Sequence, residues 1–146
     1  RYFYAQKQED RMEQLGKWAV AAGGASVSYF FGGWGAALDI LLLVVIIDYL
    51  TGMVAGFIEG GLKSKVGFVG IARKVGIFVV VVIAHKVDAL LGQSHFLRDT
   101  AVIFYIVNEL LSILENCGRV GVPIPPALRE AIQVLKKKSE QKEERK

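Results

Sequence analysis

The sequence predicts an all-α integral membrane protein with three to four transmembrane helices and a short amphipathic cytoplasmic helix at its carboxyl end. Hydrophobic residues make up 53% of the 146 residues, and the mean hydropathy of +0.39 is high for a soluble fold. Charge is segregated, because residues 18–62 contain only Asp39, Asp48 and Glu59 as charged side chains. The stretch after Arg129, by contrast, is dominated by lysine, arginine and glutamate. A protein whose middle part lies in a bilayer and whose ends lie in water would have this distribution of charge.

The first eleven residues are polar and end just before Met12, which would make a natural initiator. We interpret residues 1–11 as a leader or an added remnant, since such segments commonly precede the folded part of a chain. The transmembrane helical domain is then expected to cover residues 12–116.

The first apolar segment, residues 18–37, is uncharged and has about the 20 residues that a helix needs to cross the hydrocarbon core. Its five glycines each lower helix propensity by about 1 kcal/mol relative to alanine. The segment therefore either spans the membrane or lies at its interface. The GGWG run at 32–35 predicts a tight turn that places Trp34 at headgroup level.

The clearest span is residues 38–58, which are rich in leucine, valine and isoleucine. Its Asp48 costs about 2.5 to 3.5 kcal/mol on insertion scales, a penalty that the surrounding apolar residues offset. A wet connector, residues 59–74, is expected to follow. It carries four positive charges, Lys63, Lys65, Arg73 and Lys74.

Two further spans are predicted at residues 75–91 and 99–115. The first contains the apolar run FVVVVIA and ends in polar residues whose long side chains can reach water. The second is more polar, with Asn108 and Glu109 in its middle, so it should be shielded by protein or line water.

Residues 117–146 are predicted to form a cytoplasmic, basic, proline-containing tail. After Pro126, the apolar Leu128, Ile132 and Leu135 recur at helical spacing, which predicts an amphipathic helix. Lysine and arginine are frequent in the amino-terminal region, the connector and the tail. The positive-inside rule then gives four spans, with both termini in the cytoplasm.

The net charge of +4 does not indicate nucleic-acid binding, because the aromatic residues lie in apolar runs rather than between basic residues. The basic tail is instead interpreted as a solvated and disordered end, with attraction to anionic lipid headgroups as the alternative. Cys117 is the single cysteine, so no intramolecular disulfide can form.

Catalysis is also not indicated. His85 and His95 fall in no recognisable serine, cysteine or metal-binding pattern. A pair formed by His85 and Asp88 is interpreted as a polar cap at the interface rather than as ligands. We expect no enzymatic activity, no cofactor and no metal.

Small and polar residues share one face of the 38–58 helix, because they recur at steps of three and four. Gly52 and Gly56 would let another helix approach closely. This face is therefore interpreted either as packing against another helix of the same chain or as an interface between subunits. The face consists of Asp48, Thr51, Gly52, Ala55, Gly56 and Glu59.

A second polar face runs along residues 99–115 and continues to Asn116. It is either a buried network or, as intramembrane ionisable groups favour, the lining of a pore. The carboxylates of Asp48 and Glu109 cannot pair with each other unless one is protonated, so Thr51, Tyr105, Asn108 or water are the expected partners. The candidate pore-lining or assembly residues are Asp48, Thr51, Gly52, Gly56, Tyr105, Asn108, Glu109, Ser112, Glu115 and Asn116.

Three runs of the sequence carry a family resemblance: DYLTGMVAG, then KSKVGFVGIARKVGIF, then FYIVNELLSILENCGRVGVPIPPALREAI. In order and spacing they resemble the toxin-secretion/phage-lysis holins of Gram-positive bacteria and their phages. The resemblance covers residues 12–135. The matching positions are Asp48, Gly52, Ser64, Gly67, Gly70, Arg73, Lys74, Asn108, Glu109, Ser112, Asn116, Gly121, Pro123 and Pro125.

The resemblance implies a protein of the bacterial cytoplasmic membrane that assembles with copies of itself and opens lesions. Its functional partner would be a peptidoglycan hydrolase released during phage lysis, or a large toxin exported from the cell. A small-solute or ion channel, or a transporter subunit, is the alternative, since it would also need polar residues along a pathway. A membrane adaptor with a docking tail is a third hypothesis.

Overall fold

The computed structural model describes residues 2–61 and 64–144, and all of its regular secondary structure in those ranges is helical. The predicted all-α class is therefore confirmed. The helices are α1 (Tyr2–Phe31), α2 (Ala36–Ile58), α3 (Ser64–Leu91), α4 (Phe96–Arg119) and α5 (Pro126–Glu144).

Helix α1 forms one compact unit with the turn that follows it, up to Trp34. The helix runs without interruption through residue 11, where the predicted leader ends. Gly32 and Gly33 then adopt φ angles of 70° and 100°, a region that glycine enters without steric cost. The predicted turn at residues 32–35 is confirmed.

The second unit begins at Gly35 and contains α2 to α5. Within the described residues, two helices are long and apolar enough to cross a membrane: Ala36–Ile58, with a mean hydropathy of 2.3, and Gly67–Leu91, with 2.1. They support the assignment as an all-α membrane protein. The predicted count of three to four spans remains a prediction for the segments in α1 and α4.

The predicted connector at residues 59–74 is wrong from residue 64 onward, because α3 already begins at Ser64. The apolar Phe68, Val69 and Ile71 continue the helix upstream of the predicted span. Lys63 lies outside the described residues. Arg73 and Lys74 therefore project from helix α3 rather than from a solvent-exposed loop.

Helix α4 is the central element of the second unit and packs against α2, α3 and α5. Its contact with α2 is the most extensive, whereas α2 and α3 touch at few points. Apolar side chains such as Leu41, Val81 and Val102 are fully or almost fully buried between these helices. Many large apolar side chains on α2 and α3, among them Leu43 and Val79, remain exposed, as expected of surfaces that contact lipid.

The α3–α4 hairpin is closed by Asp88, which is 1% exposed. Its two carboxylate oxygens accept hydrogen bonds of 2.9 Å from the backbone N–H groups of Leu97 and Arg98, in the first turn of α4. The carboxylate thus satisfies two of the amide groups that a helix start leaves unpaired. His85 stacks on His95, with ring centroids 5.5 Å apart, instead of pairing with Asp88.

The tail contains the predicted helix, α5, with Pro126 at its first helical position. Ile132 is buried, and α5 packs against α4. Because α4 continues to Arg119, the predicted boundary between residues 116 and 117 falls inside its last turn.

Candidate functional site

The centre of the second unit holds one lysine between two carboxylates. Lys74 Nζ on α3 lies 2.5 Å from Asp48 Oδ2 on α2 and also donates to Glu109 Oε2 on α4. The carboxylate side chains are each 8% exposed and the lysine side chain 19%. Burial of a charge is costly unless the charge is paired. Lys74 therefore offsets the cost of burying these two carboxylates inside the helical bundle.

Asn116 continues the network on the other side of Asp48. Its amide Nδ2 donates to Asp48 Oδ1 at 3.0 Å and, more weakly, to Thr51 Oγ1 at 3.4 Å. Its Oδ1 accepts a hydrogen bond of 3.1 Å from Arg119. Both Asp48 oxygens are therefore occupied, one by a cation and one by an amide, and α2 is fixed to α4 through side chains.

The network ends in an ion pair near the last turns of α2 and α4. Arg119 donates from Nε to Glu59 Oε1 at 3.0 Å and from Nη2 to Oε2 at 2.5 Å, a bidentate arrangement. Hydrogen bonding from Arg119 lowers the pKa of Glu59, and the same bond raises the pKa of Arg119. A continuous series of polar contacts thus runs from Glu109 to Glu59.

Glycines permit the close helix approaches around this network. A Cβ atom built on Gly52 would lie 3.4 Å from Asn116 Nδ2, so the small-residue face of α2 contacts α4 of the same chain at this point. On α3, a Cβ atom built on Gly67 would lie 3.7 Å from the Tyr49 hydroxyl oxygen, and one built on Gly70 would lie 3.5 Å from the Tyr49 ring. Packing within the chain therefore accounts for Gly52.

A groove of about 850 Å³ opens between α2 and α3 and gives access to the network. Its lining includes five of the predicted candidates: Asp48, Gly52, Gly56, Ser112 and Asn116. Its remaining polar or charged lining residues are Tyr49, Glu59, Arg73, Lys74 and Arg119.

The other candidates lie in different surroundings. Thr51 and Glu109 join the network through hydrogen bonds to Asn116 and Lys74. Tyr105 lines a second, smaller cavity of about 390 Å³ between α3 and α4, whereas Glu115 is exposed and Asn108 is half-buried.

The expected partners of the two carboxylates are corrected by this geometry. Tyr105 and Asn108 donate no hydrogen bond to Asp48 or Glu109 within the described residues; Lys74 and Asn116 do. Lys74 was not predicted from the sequence as a partner of these carboxylates, because it was placed in the solvent-exposed connector. Its spacing from Gly67 and Gly70 could have indicated it, since steps of three and four place all of them on one helical face.

The described residues contain no group of three or more histidine, cysteine, aspartate or glutamate side chains placed to hold a metal. The arrangement is a network of ion pairs and hydrogen bonds inside a helical bundle. Chemically, it can hold the helices together or present charge to water or to another chain if the helices move.

Known proteins are similar to most of this chain. An uncharacterized protein of Halalkalibacterium halodurans is 49% identical over 130 residues, covering 86% of this chain and 96% of its own length. The probable holin of Bacillus phage phi105 is 35% identical over 108 residues, which is 74% of this chain and 80% of that protein. An uncharacterized protein of Bacillus subtilis is 38% identical over 113 residues, covering 77% and 80%. No solved structure matches the chain.

The model of the bacteriophage holin family matches residues 25–137. This range includes the whole polar network, from Asp48 to Arg119, and most of the chain outside α1. The chain belongs to the bacteriophage holin family.

Proposed function

We propose that this protein is a holin that assembles in the bacterial cytoplasmic membrane and forms lesions. The lesions would release a peptidoglycan hydrolase during phage lysis or allow export of a large toxin. Support comes from membership of the holin family and from the similarity to the probable holin of Bacillus phage phi105.

The observation that carries the proposal is the buried charge at Asp48, Lys74 and Glu109, next to helices apolar enough to cross a membrane. A charged group at the centre of a bilayer costs about 2.5 to 3.5 kcal/mol on insertion scales. A protein that keeps three of them there needs either a strong structural reason or a function for which water must enter. In the single chain, Lys74 partly neutralises the two carboxylates. In an assembly that has formed a lesion, the same three groups would face water.

The proposed topology has three or four spans. Helices α2 and α3 and the polar helix α4 would cross the bilayer, with α4 shielded by the other two, and the segment at residues 18–37 would span or lie at the interface. With four spans both termini would be cytoplasmic, as the positive-inside rule indicates. With three spans the tail would be cytoplasmic and the amino terminus would lie outside. In chains that carry Cys117→Ser, a cysteine replacing Gly61 and a cysteine placed in the tail would then each react with an impermeant reagent only after the cells are opened.

The test of function is inducible expression in bacteria, with and without a co-expressed peptidoglycan hydrolase. We expect growth to stop abruptly and cytoplasmic protein to be released only when the hydrolase is present. Release of ions without passage of a folded protein would instead support a small-solute channel. Loss of activity on removing residues 126–146 alone, with membrane insertion unchanged, would support an adaptor that docks a soluble partner.

A further inference from the structure

The three charged groups that meet at Lys74 do not balance among themselves. Asp48 and Glu109 contribute two negative charges and share one ammonium, that of Lys74, which leaves one negative charge without a cation. Asn116 donates an amide hydrogen bond to Asp48 but adds no charge. Because both carboxylates are buried, water screens this remaining charge poorly.

A matching positive charge lies on the groove between α2 and α3. Arg73 lines the groove, is exposed, and forms no ion pair with any residue in the described part of the chain. It falls inside the candidate span Gly67–Leu91, where an arginine without a partner is costly even if its long side chain reaches toward the interface.

Arg73 cannot readily neutralise the carboxylates of its own chain. Successive residues of an α-helix point about 100° apart, and Lys74 already occupies the direction toward Asp48 and Glu109. The groove beside them is open from outside, with Gly56 on α2 and Gly67 on α3 among its lining residues, so another helix can approach closely.

We propose that this groove is the assembly surface between copies of the chain, in which Arg73 of one copy pairs with the Asp48 carboxylate of the next, the member of the buried carboxylate pair that lines the groove. The proposal rests on the proposed function, because assembly is part of it. A lipid phosphate would neutralise Arg73 but repel the carboxylates, and a free cation would do the reverse. A second copy satisfies both groups at once.

The experiment uses two differently tagged full-length copies co-expressed in membranes, both carrying Cys117→Ser. One copy carries Val69→Cys, one turn from Arg73, and the other carries Ser112→Cys, one turn from Asn116, which hydrogen-bonds Asp48. Both positions line the groove. A short bis-maleimide should join the two tags, since its reach covers the about 5.4 Å of one helical turn.

Adding Arg73→Gln to the Val69→Cys copy should lower the yield of the mixed cross-link by about tenfold or more, as expected when a desolvated ion pair loses one partner. Arg73→Lys should restore most of the yield. Arg129→Gln, which removes an exposed arginine of α5, is the matched control and should leave the yield unchanged.

An unchanged yield with Arg73→Gln would overturn the inference, as would a mixed cross-link absent from membranes in which amine-reactive reagents detect oligomers. In both cases the assembly itself, and with it the proposed function, would stand. A chain that cross-links with neither chemistry and remains a monomer in membranes would instead overturn both. Folding of each variant is checked by its accumulation in the membrane and its helical circular dichroism.

Discussion

Lys74 Nζ lies 2.5 Å from Asp48 Oδ2 and connects α2 to α3, two helices that otherwise touch at few points. Tyr49 of α2 also approaches Gly67 and Gly70 of α3 closely. Since Lys74 also contacts Glu109 on α4, a single ammonium holds three helices in one arrangement. The position of α3 should therefore depend on this side chain more than on any apolar contact with α2.

Replacing Lys74 by methionine should destabilise the bundle by about 3 to 5 kcal/mol, because the two buried carboxylates would lose their shared cation. Lys74→Arg should retain most of the stability. The measurement is the free energy of unfolding in detergent micelles, from titration with sodium dodecyl sulfate followed by circular dichroism.

The control is Lys17→Met, which removes the lysine of an exposed pair with Glu13 on α1. Exposed pairs one helical turn apart contribute little, about 0.3 to 0.5 kcal/mol. A loss for Lys74→Met no larger than that of Lys17→Met would mean that the buried network is not what holds the helices together.

Local sequence patterns predicted those elements whose conformation is determined by residues close to them in the sequence. The apolar run predicted at 38–58 became α2 at Ala36–Ile58, and the glycines at 32 and 33 marked the turn. Both signals are local, since helix formation and turn geometry are decided within a few residues.

The pairing of Lys74 could not be predicted in the same way. It lies 26 residues from Asp48 and 35 from Glu109 in the sequence, so no helical period relates them. The basic residues around Lys74 also suggested a loop, although the apolar residues between them continue the helix. Which polar faces meet depends on how α3 packs on α4, which is a property of tertiary structure.

Asp88→Ala should destabilise the α3–α4 hairpin by about 1 to 2 kcal/mol, because the amide groups of Leu97 and Arg98 would lose their acceptor. Asp99→Ala is a control in the same helical turn, since its carboxylate pairs with Arg98 but is half-exposed. Amide hydrogen exchange at the start of α4 should accelerate for Asp88→Ala only. Equal exchange in both variants would contradict a capping role.

The pair formed by Glu59 and Arg119 predicts a pH dependence. Its hydrogen bonds lower the pKa of Glu59 below the ordinary value of 4.5. A carboxyl with a lowered pKa contributes stability that is complete above its unfolded pKa and is lost as the pH falls through its folded value. The thermal midpoint of the wild type should therefore exceed that of Glu59→Gln above pH 4.5, and the two should converge below it.

Substitutions of Glu109 test whether the buried network is needed for the proposed function in addition to the stability of the fold. Glu109→Gln keeps the shape of the side chain and an oxygen that can accept a hydrogen bond from Lys74, but removes the charge. Glu109→Leu removes both, so Lys74 keeps only Asp48 as a partner. We expect Glu109→Leu to delay or abolish lysis in the expression assay and Glu109→Gln to have a smaller effect.

The matched control is Glu115→Leu on the same helix, because Glu115 is exposed and outside the groove lining. All three variants should accumulate in the membrane, which is measured by immunoblotting of membrane fractions before lysis begins. If Glu109→Leu accumulates, forms cross-linked oligomers and lyses cells on the same schedule as Glu115→Leu, charge at position 109 has no part in opening. The polar face of α4 would then serve only to hold α2, α3 and α4 together, because a group that opened the membrane could not be replaced by a hydrocarbon without changing the time of lysis.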